Sequence, residues 1–166
     1  MMAALLLFTG CQHFHQTGGH ASRSARLDQS ATQGAVRLDV ADTRGDVVLS
    51  IPMQSNDSWC LLWNHSVAGF TVSDCFVNTQ GKLFLYSSHQ PDFAAGLGYL
   101  EGRGTLTSDG HGGYIITQIH EPVPDNSLVL RVGSKAVNHR VLYQGRETSL
   151  SQFVAGQRVM LRLSQD

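Results

Sequence analysis

The chain has 166 residues, with 12 basic and 13 acidic side chains, a formal net charge of −1 and 42% hydrophobic residues. That length and apolar content allow one domain with a real core, and the lack of a basic surplus excludes a nucleic-acid binder held by neutralised phosphates. Only 15% of residues are charged while glycine contributes 17, a balance typical of turn-rich β proteins rather than helical ones.

Residues 1–11 read MMAALLLFTGC, a short apolar run from Ala3 to Phe8 followed by Thr9-Gly10-Cys11. The segment resembles a bacterial lipoprotein signal, in which small residues before the cysteine let the peptidase reach the backbone and the thiol takes the diacylglycerol. Cys11 is therefore expected to be the lipidated mature N-terminus, and the membrane to be a partner through that anchor. No Lys or Arg precedes the run and the run is shorter than a usual signal core, which a start codon further upstream would explain. It is also too short for a membrane-spanning helix, which needs about 20 apolar residues. Gln12, rather than Asp, follows the cysteine. That favours the outer over the inner membrane of a Gram-negative envelope, with the protein facing the periplasm. Residues 12–34 are rich in Ser, Gln, Gly, Thr and His without apolar period, and read as a polar tether. His13, His15 and His20 are expected to be solvated there rather than to hold metal.

Residues 35–166 carry the strand signals. Val36 to Val40 alternates, and Asp46 to Met53 follows the turn Thr43-Arg44-Gly45. Trp59 to His65 and Phe70 to Val77 flank Ser66-Val67-Ala68-Gly69. If those four residues form a hairpin loop, Cys60 lies opposite Cys75 and His65 opposite Phe70. An exported protein meets oxidising conditions, so the two cysteines left after Cys11 predict one cross-strand disulfide, Cys60–Cys75. Further strands are expected at Lys82 to Ser87, Gly113 to Ile119, Leu128 to Val132, Ala136 to Tyr143 and Arg158 to Leu163. Ser149 to Val154 has room for one helical turn. His89 to Ser108 resists strand assignment and reads as a long glycine-containing loop of the kind that often carries function. Eight or nine strands with hairpin connections predict an all-β fold, a single antiparallel β-sandwich or partly closed β-barrel.

A series of short motifs runs through this domain: Trp63-Asn64-His65-Ser66-Val67, Val72-Ser73-Asp74, Phe93-Ala94-Ala95-Gly96-Leu97-Gly98 and Leu130-Arg131-Val132-Gly133. In this order and spacing, from about Val47 to Leu163, they resemble the bacterial domain of unknown function family numbered 1850. Asp74 stands where that family usually has Glu, Ala68 replaces the Glu that commonly follows His-Ser-Val, and Ala95 sits where Gly is expected. The resemblance implies a small exported protein. It also implies a TRAP transporter of the TAXI type, or its periplasmic binding protein, as partner, because genes of the family often accompany such transporters of small organic acids.

The chemistry of the candidates points to binding. His65 and Ser66 are neighbours on a strand and face opposite ways, so His65 is badly placed as a base for Ser66. Asp74 shares the face of His65 but lies more than about 10 Å along the strand at a rise of about 3.3 Å per residue. His65, His89, His111, His120, Glu121 and His139 have no metal-ligand spacing, and neither a metal nor another cofactor is expected. Arg131 offers a bidentate fork for a carboxylate. The expected ligand- or partner-binding residues are thus His65, Ser66, Asp74, Gly96 and Arg131, in a non-catalytic accessory protein. The alternatives are a small-ligand or carbohydrate-binding β module unrelated to transport, and a hydrolase or metalloprotein dependent on His65.

Overall fold

The computed structural model describes residues 35–66, 69–92 and 100–165. The expected signal segment with Cys11, the expected tether 12–34, Val67, Ala68 and residues 93–99, which include Gly96, lie outside the described residues.

Among the described residues, twelve strands form two open antiparallel sheets. The smaller has the order β2-β1-β12-β9, with β1 Val36–Asp42, β2 Val47–Met53, β9 Ser127–Arg131 and β12 Arg158–Gln165. Along the main path of the larger the order is β11-β10-β3-β4-β5-β7-β6. Its strands are β3 Ser58–Asn64, β4 Thr71–Thr79, β5 Lys82–Gln90, β6 Thr105–Ser108, β7 Tyr114–Thr117, β10 Arg140–Tyr143 and β11 Arg146–Ser149. A two-residue strand, β8 (Glu121–Pro122), adds to β5. The chain begins in the small sheet, builds most of the large one, returns for β9, crosses back for β10 and β11, and closes with β12.

The inward stripe of each strand follows the period of two. Leu38 and Val40 of β1 face the same core as Val159, Leu161 and Leu163 of β12, and across from them lie Trp59, Leu61, Val72, Phe76, Leu83, Ile116 and Val141. Trp59 and Phe76 sit opposite each other across β3 and β4 and stack at 4.7 Å between ring centroids, a contact worth about 1 kcal/mol beyond area burial.

The all-β sandwich expectation holds, and the strand count rises from eight or nine to twelve. The added β6, β8 and β11 read Thr-Leu-Thr-Ser, Glu-Pro and Arg-Glu-Thr-Ser: short, mostly exposed pieces without an apolar stripe. Edge strands need no buried second partner, so little hydrophobic signal marks them. Ala136 to His139, expected to be strand, is a turn. Ser134 O accepts the Asn138 N–H at 2.9 Å and Asn138 takes φ 49°. The short helix expected at Ser149 to Val154 is α1, Ser151–Val154.

The β3–β4 register is the expected one: Cys60 pairs with Cys75, Leu61 with Asp74 and Trp63 with Val72. The His65 N–H donates to Phe70 O at 2.7 Å and closes the hairpin end. The disulfide Cys60–Cys75 is formed, with the two Cα atoms 4.0 Å apart. Between β4 and β5 the register slips: Cys75 faces Ser87 while Phe76 faces Leu85, leaving Tyr86 as the extra residue of a β-bulge. The Tyr86 carbonyl instead accepts the Ile119 N–H at 3.0 Å. A bulge reverses which alternate residues face inward. Leu83 and Leu85 point to the core before it, and Ser88 and Gln90 after it.

Candidate functional site

The bulge gathers polar side chains on both sides of β5. On the core side, Asp74 lies directly across from Ser88. Ser88 Oγ donates to Asp74 Oδ1 at 2.7 Å, Gln90 Nε2 donates to the same oxygen at 3.3 Å, and Gln90 Nε2 also donates to Ser88 Oγ at 2.8 Å. Ser88 and Gln90 are buried, and Gln90 Oε1 has no hydrogen-bond partner among the described residues. Burial pushes the Asp74 carboxyl above the ordinary carboxylate range, against the smaller opposing effect of the two hydrogen bonds. The acidic residue of the Val-Ser-Asp motif therefore faces the interior of the sandwich and is held by β5.

On the outer side, His89 Nε2 meets Asp109 Oδ2 at 2.9 Å. Asp109 is clamped in its own turn, its Oδ1 accepting the N–H groups of His111 at 2.7 Å and Gly113 at 2.9 Å. The His89 hydrogen bond, followed by the His111 amide, holds its carboxyl below the ordinary range. Gly113 leaves the space this needs, because a Cβ there would stand 2.5 Å from Asp109 Oδ2 and 2.6 Å from Gln90 O. The His89 ring meets Phe70 edge to face at 4.6 Å. An imidazole so oriented can hold a polar group of a ligand. No hydroxyl or thiol that it could activate is bonded to it among the described residues.

His139 forms a third cluster. Its Nδ1 accepts the Gly133 N–H at 2.8 Å, which leaves the proton of the neutral ring on Nε2. Burial lowers its pKa and favours that neutral form. Ser151 Oγ accepts the His139 N–H at 2.9 Å and donates to Gly133 O at 3.0 Å, tying the end of β9 to α1.

The expected binding residues are not all brought together. His65 and Ser66 sit at the β3–β4 hairpin end, His65 half-buried and Ser66 exposed. Asp74 is in the middle of the large sheet, facing inward. Arg131 ends β9 in the other sheet, exposed on its outer face and directly opposite Arg158. The pair missed from sequence is His89 with Asp109. Strict alternation through Leu83 and Leu85 sends Ser87 and His89 inward, and only the bulge at Tyr86 turns His89 out. Among the described residues no three His, Cys, Asp or Glu side chains are arranged to hold a metal ion.

The family model described as Domain of unknown function (DUF1850) matches residues 60–150, from the first disulfide cysteine to the residue before α1. The chain belongs to the DUF1850 family. The DUF1850 region contains the disulfide, the Asp74–Ser88–Gln90 network, the His89–Asp109 pair and His139, whereas β1, β2 and β12 of the small sheet lie outside it. Neither a curated protein nor a solved structure matches the chain.

Proposed function

We propose that this DUF1850 protein is an exported lipoprotein, anchored through Cys11, that acts without catalysis as an accessory protein beside a TAXI-type TRAP transporter. The observation that carries the compartment is the Cys60–Cys75 bond between adjacent central strands, since such staples persist in oxidising environments. The polar geometry favours binding over catalysis: Asp74 is engaged inside the sandwich by Ser88 and Gln90, and His89 is engaged by Asp109. The transporter as partner follows from the family's usual gene company. Affinity capture of the full, lipidated chain in mild detergent should recover the transporter's membrane subunits or its periplasmic binding protein. Their absence, with lipidation intact, overturns the partnership. A Cys11→Ser chain should leave the membrane fraction of cells after a high-salt wash, and its retention there counts against the anchor.

A further inference from the structure

The outer face of the small sheet has a composition that neither the core nor the polar clusters explain. Along β12 the residues turned out from the core are Arg158, Met160 and Arg162, alternating with buried Val159, Leu161 and Leu163. Met160 pairs with Ala41 on one side and Val129 on the other, and Ala41 pairs with Val47. An apolar row thus crosses all four strands in the open, with Val47 57%, Met160 41% and Val129 64% exposed. A groove of about 610 Å³ runs over this row.

Arginines stand on both sides of it. Arg158 and Arg131 are directly opposite each other across β12 and β9, and Arg162 lies about 13 Å further along β12 at a rise of about 3.3 Å per residue. Like charges in directly opposed strand positions repel, which destabilises the pair. The acidic residues of this face are already engaged. Asp42 and Asp46 both pair with Arg44, while Asp39 takes Ser50, Ser164 and Arg37. Arg131, Arg158 and Arg162 make no ion pair among the described residues, although Arg162 stands directly opposite Asp39 across β12 and β1. Five of the chain's 12 basic side chains, counting Arg37 and Arg44, lie on this face or its rim, on a molecule of net charge −1.

We propose that this face lies against an anionic phospholipid surface, with Arg131, Arg158 and Arg162 on lipid phosphates and Val47, Val129 and Met160 at the level of the glycerol backbone. An acidic headgroup layer supplies the anion that relieves the opposed arginines, and the apolar boundary beneath it takes the exposed row. The inference rests on the anchored reading above. The chain enters the small sheet at Val36, beside Arg37, and a tether from Cys11 to Ala35 would span at most about 86 Å fully extended. Within such reach of the bilayer a weakly binding face is enough, because the second contact is effectively intramolecular.

The test uses the full chain carrying Cys11→Ser, so that no lipid contributes, in sedimentation with vesicles at low salt. Vesicles of phosphatidylcholine mixed with phosphatidylglycerol should bring the chain down and vesicles of phosphatidylcholine alone should not, with the binding lost at high salt. Each arginine near such a surface is worth about fivefold in partitioning, so a chain with Arg131→Gln, Arg158→Gln and Arg162→Gln should bind about a hundredfold more weakly. All three side chains are exposed, and circular dichroism of the variant should match the parent. No binding to the acidic vesicles, or equal binding by the triple variant, overturns the proposal. Binding to polyglutamate without binding to vesicles also overturns it, in favour of an acidic protein on this face. In cells, a Cys11→Ser chain that also carries the three arginine substitutions should leave the membrane fraction, and its retention there would bear on the anchor alone.

Discussion

Replacing Asp74 by Asn is expected to stabilise the domain at neutral and alkaline pH. The carboxylate is half-buried and accepts hydrogen bonds from Ser88 Oγ and Gln90 Nε2, but no cation pairs with it among the described residues. Burial raises its pKa in the folded chain, so the folded state holds this proton more tightly than the unfolded state. The group's contribution is therefore most favourable below the unfolded value of about 3.9 and is lost as pH rises through the higher folded value. An asparagine Oδ1 keeps the acceptor for Ser88 and Gln90 and removes the desolvated charge. Removing the charge while keeping both hydrogen bonds supports a gain of about 1–2 kcal/mol at pH 8. Asp74→Ala, which strips the shared acceptor from both partners and leaves a void, should lose about 2–4 kcal/mol. Urea unfolding of the three proteins across pH checks this, with the Asn–Asp difference shrinking as the parent's carboxyl takes its proton in acid. An Asp74→Asn protein less stable than the parent at pH 8 refutes the reasoning, because it would mean that the charge itself is compensated in the fold.

Three other substitutions test the surrounding structure. Converting Cys60 and Cys75 to Ser opens a loop closed over a sequence separation of 15 residues, and on the chain-entropy model the urea midpoint should fall by the equivalent of about 3 kcal/mol; thiol labelling of the denatured, unreduced parent should find neither cysteine free. Gly113→Ala forces a Cβ to within 2.6 Å of Gln90 O and 2.5 Å of Asp109 Oδ2, and overpacking of this kind should cost about 1–3 kcal/mol in chemical denaturation. Asp109 has its folded pKa lowered by His89 and the turn amides, so its contribution is present above about pH 3.9 and is lost as pH falls through the folded value. Asp109→Asn should therefore flatten the acid limb of the stability curve, and an unchanged acid limb would mean that the His89 contact does not hold in solution.

The parts of the fold that were legible from the sequence are those in which each strand states its own phase. β1 and β12 alternate without interruption, and the β3–β4 pair is fixed twice, by the closing contact of His65 with Phe70 and by the facing cysteines. β6 and β11 were not legible because an edge strand of four residues buries too little to need a pattern. Arg131 was legible as a strand residue. Its opposition to Arg158 was not, since β9 and β12 are separated by the whole excursion of the chain into β10, β11 and α1 before they pair.

The candidate site was hidden for a single physical reason. Counting inward positions along β5 from Leu83 and Leu85 reaches Ser87 and His89, and it leaves Ser88 and Gln90 outside. The extra residue Tyr86 reverses that count, and with it the environment of every polar side chain that follows. Ser88 and Gln90 are carried inward to the one carboxylate on the core face of β4, while His89 is carried outward to the one carboxylate in the Asp109 turn. Each half of the arrangement supports the other. Without Ser88 and Gln90, Asp74 would be an inward-facing, half-buried charge without hydrogen bonds, and without the reversal His89 would have to enter the core away from Asp109. The bulge is held open by the Ile119 N–H on Tyr86 O, a contact from the segment leading into β8, so the phase of β5 is set by a part of the chain about thirty residues downstream. Periodicity within a strand carries no information about such a contact, which is why the residues were visible in the sequence and their grouping was not.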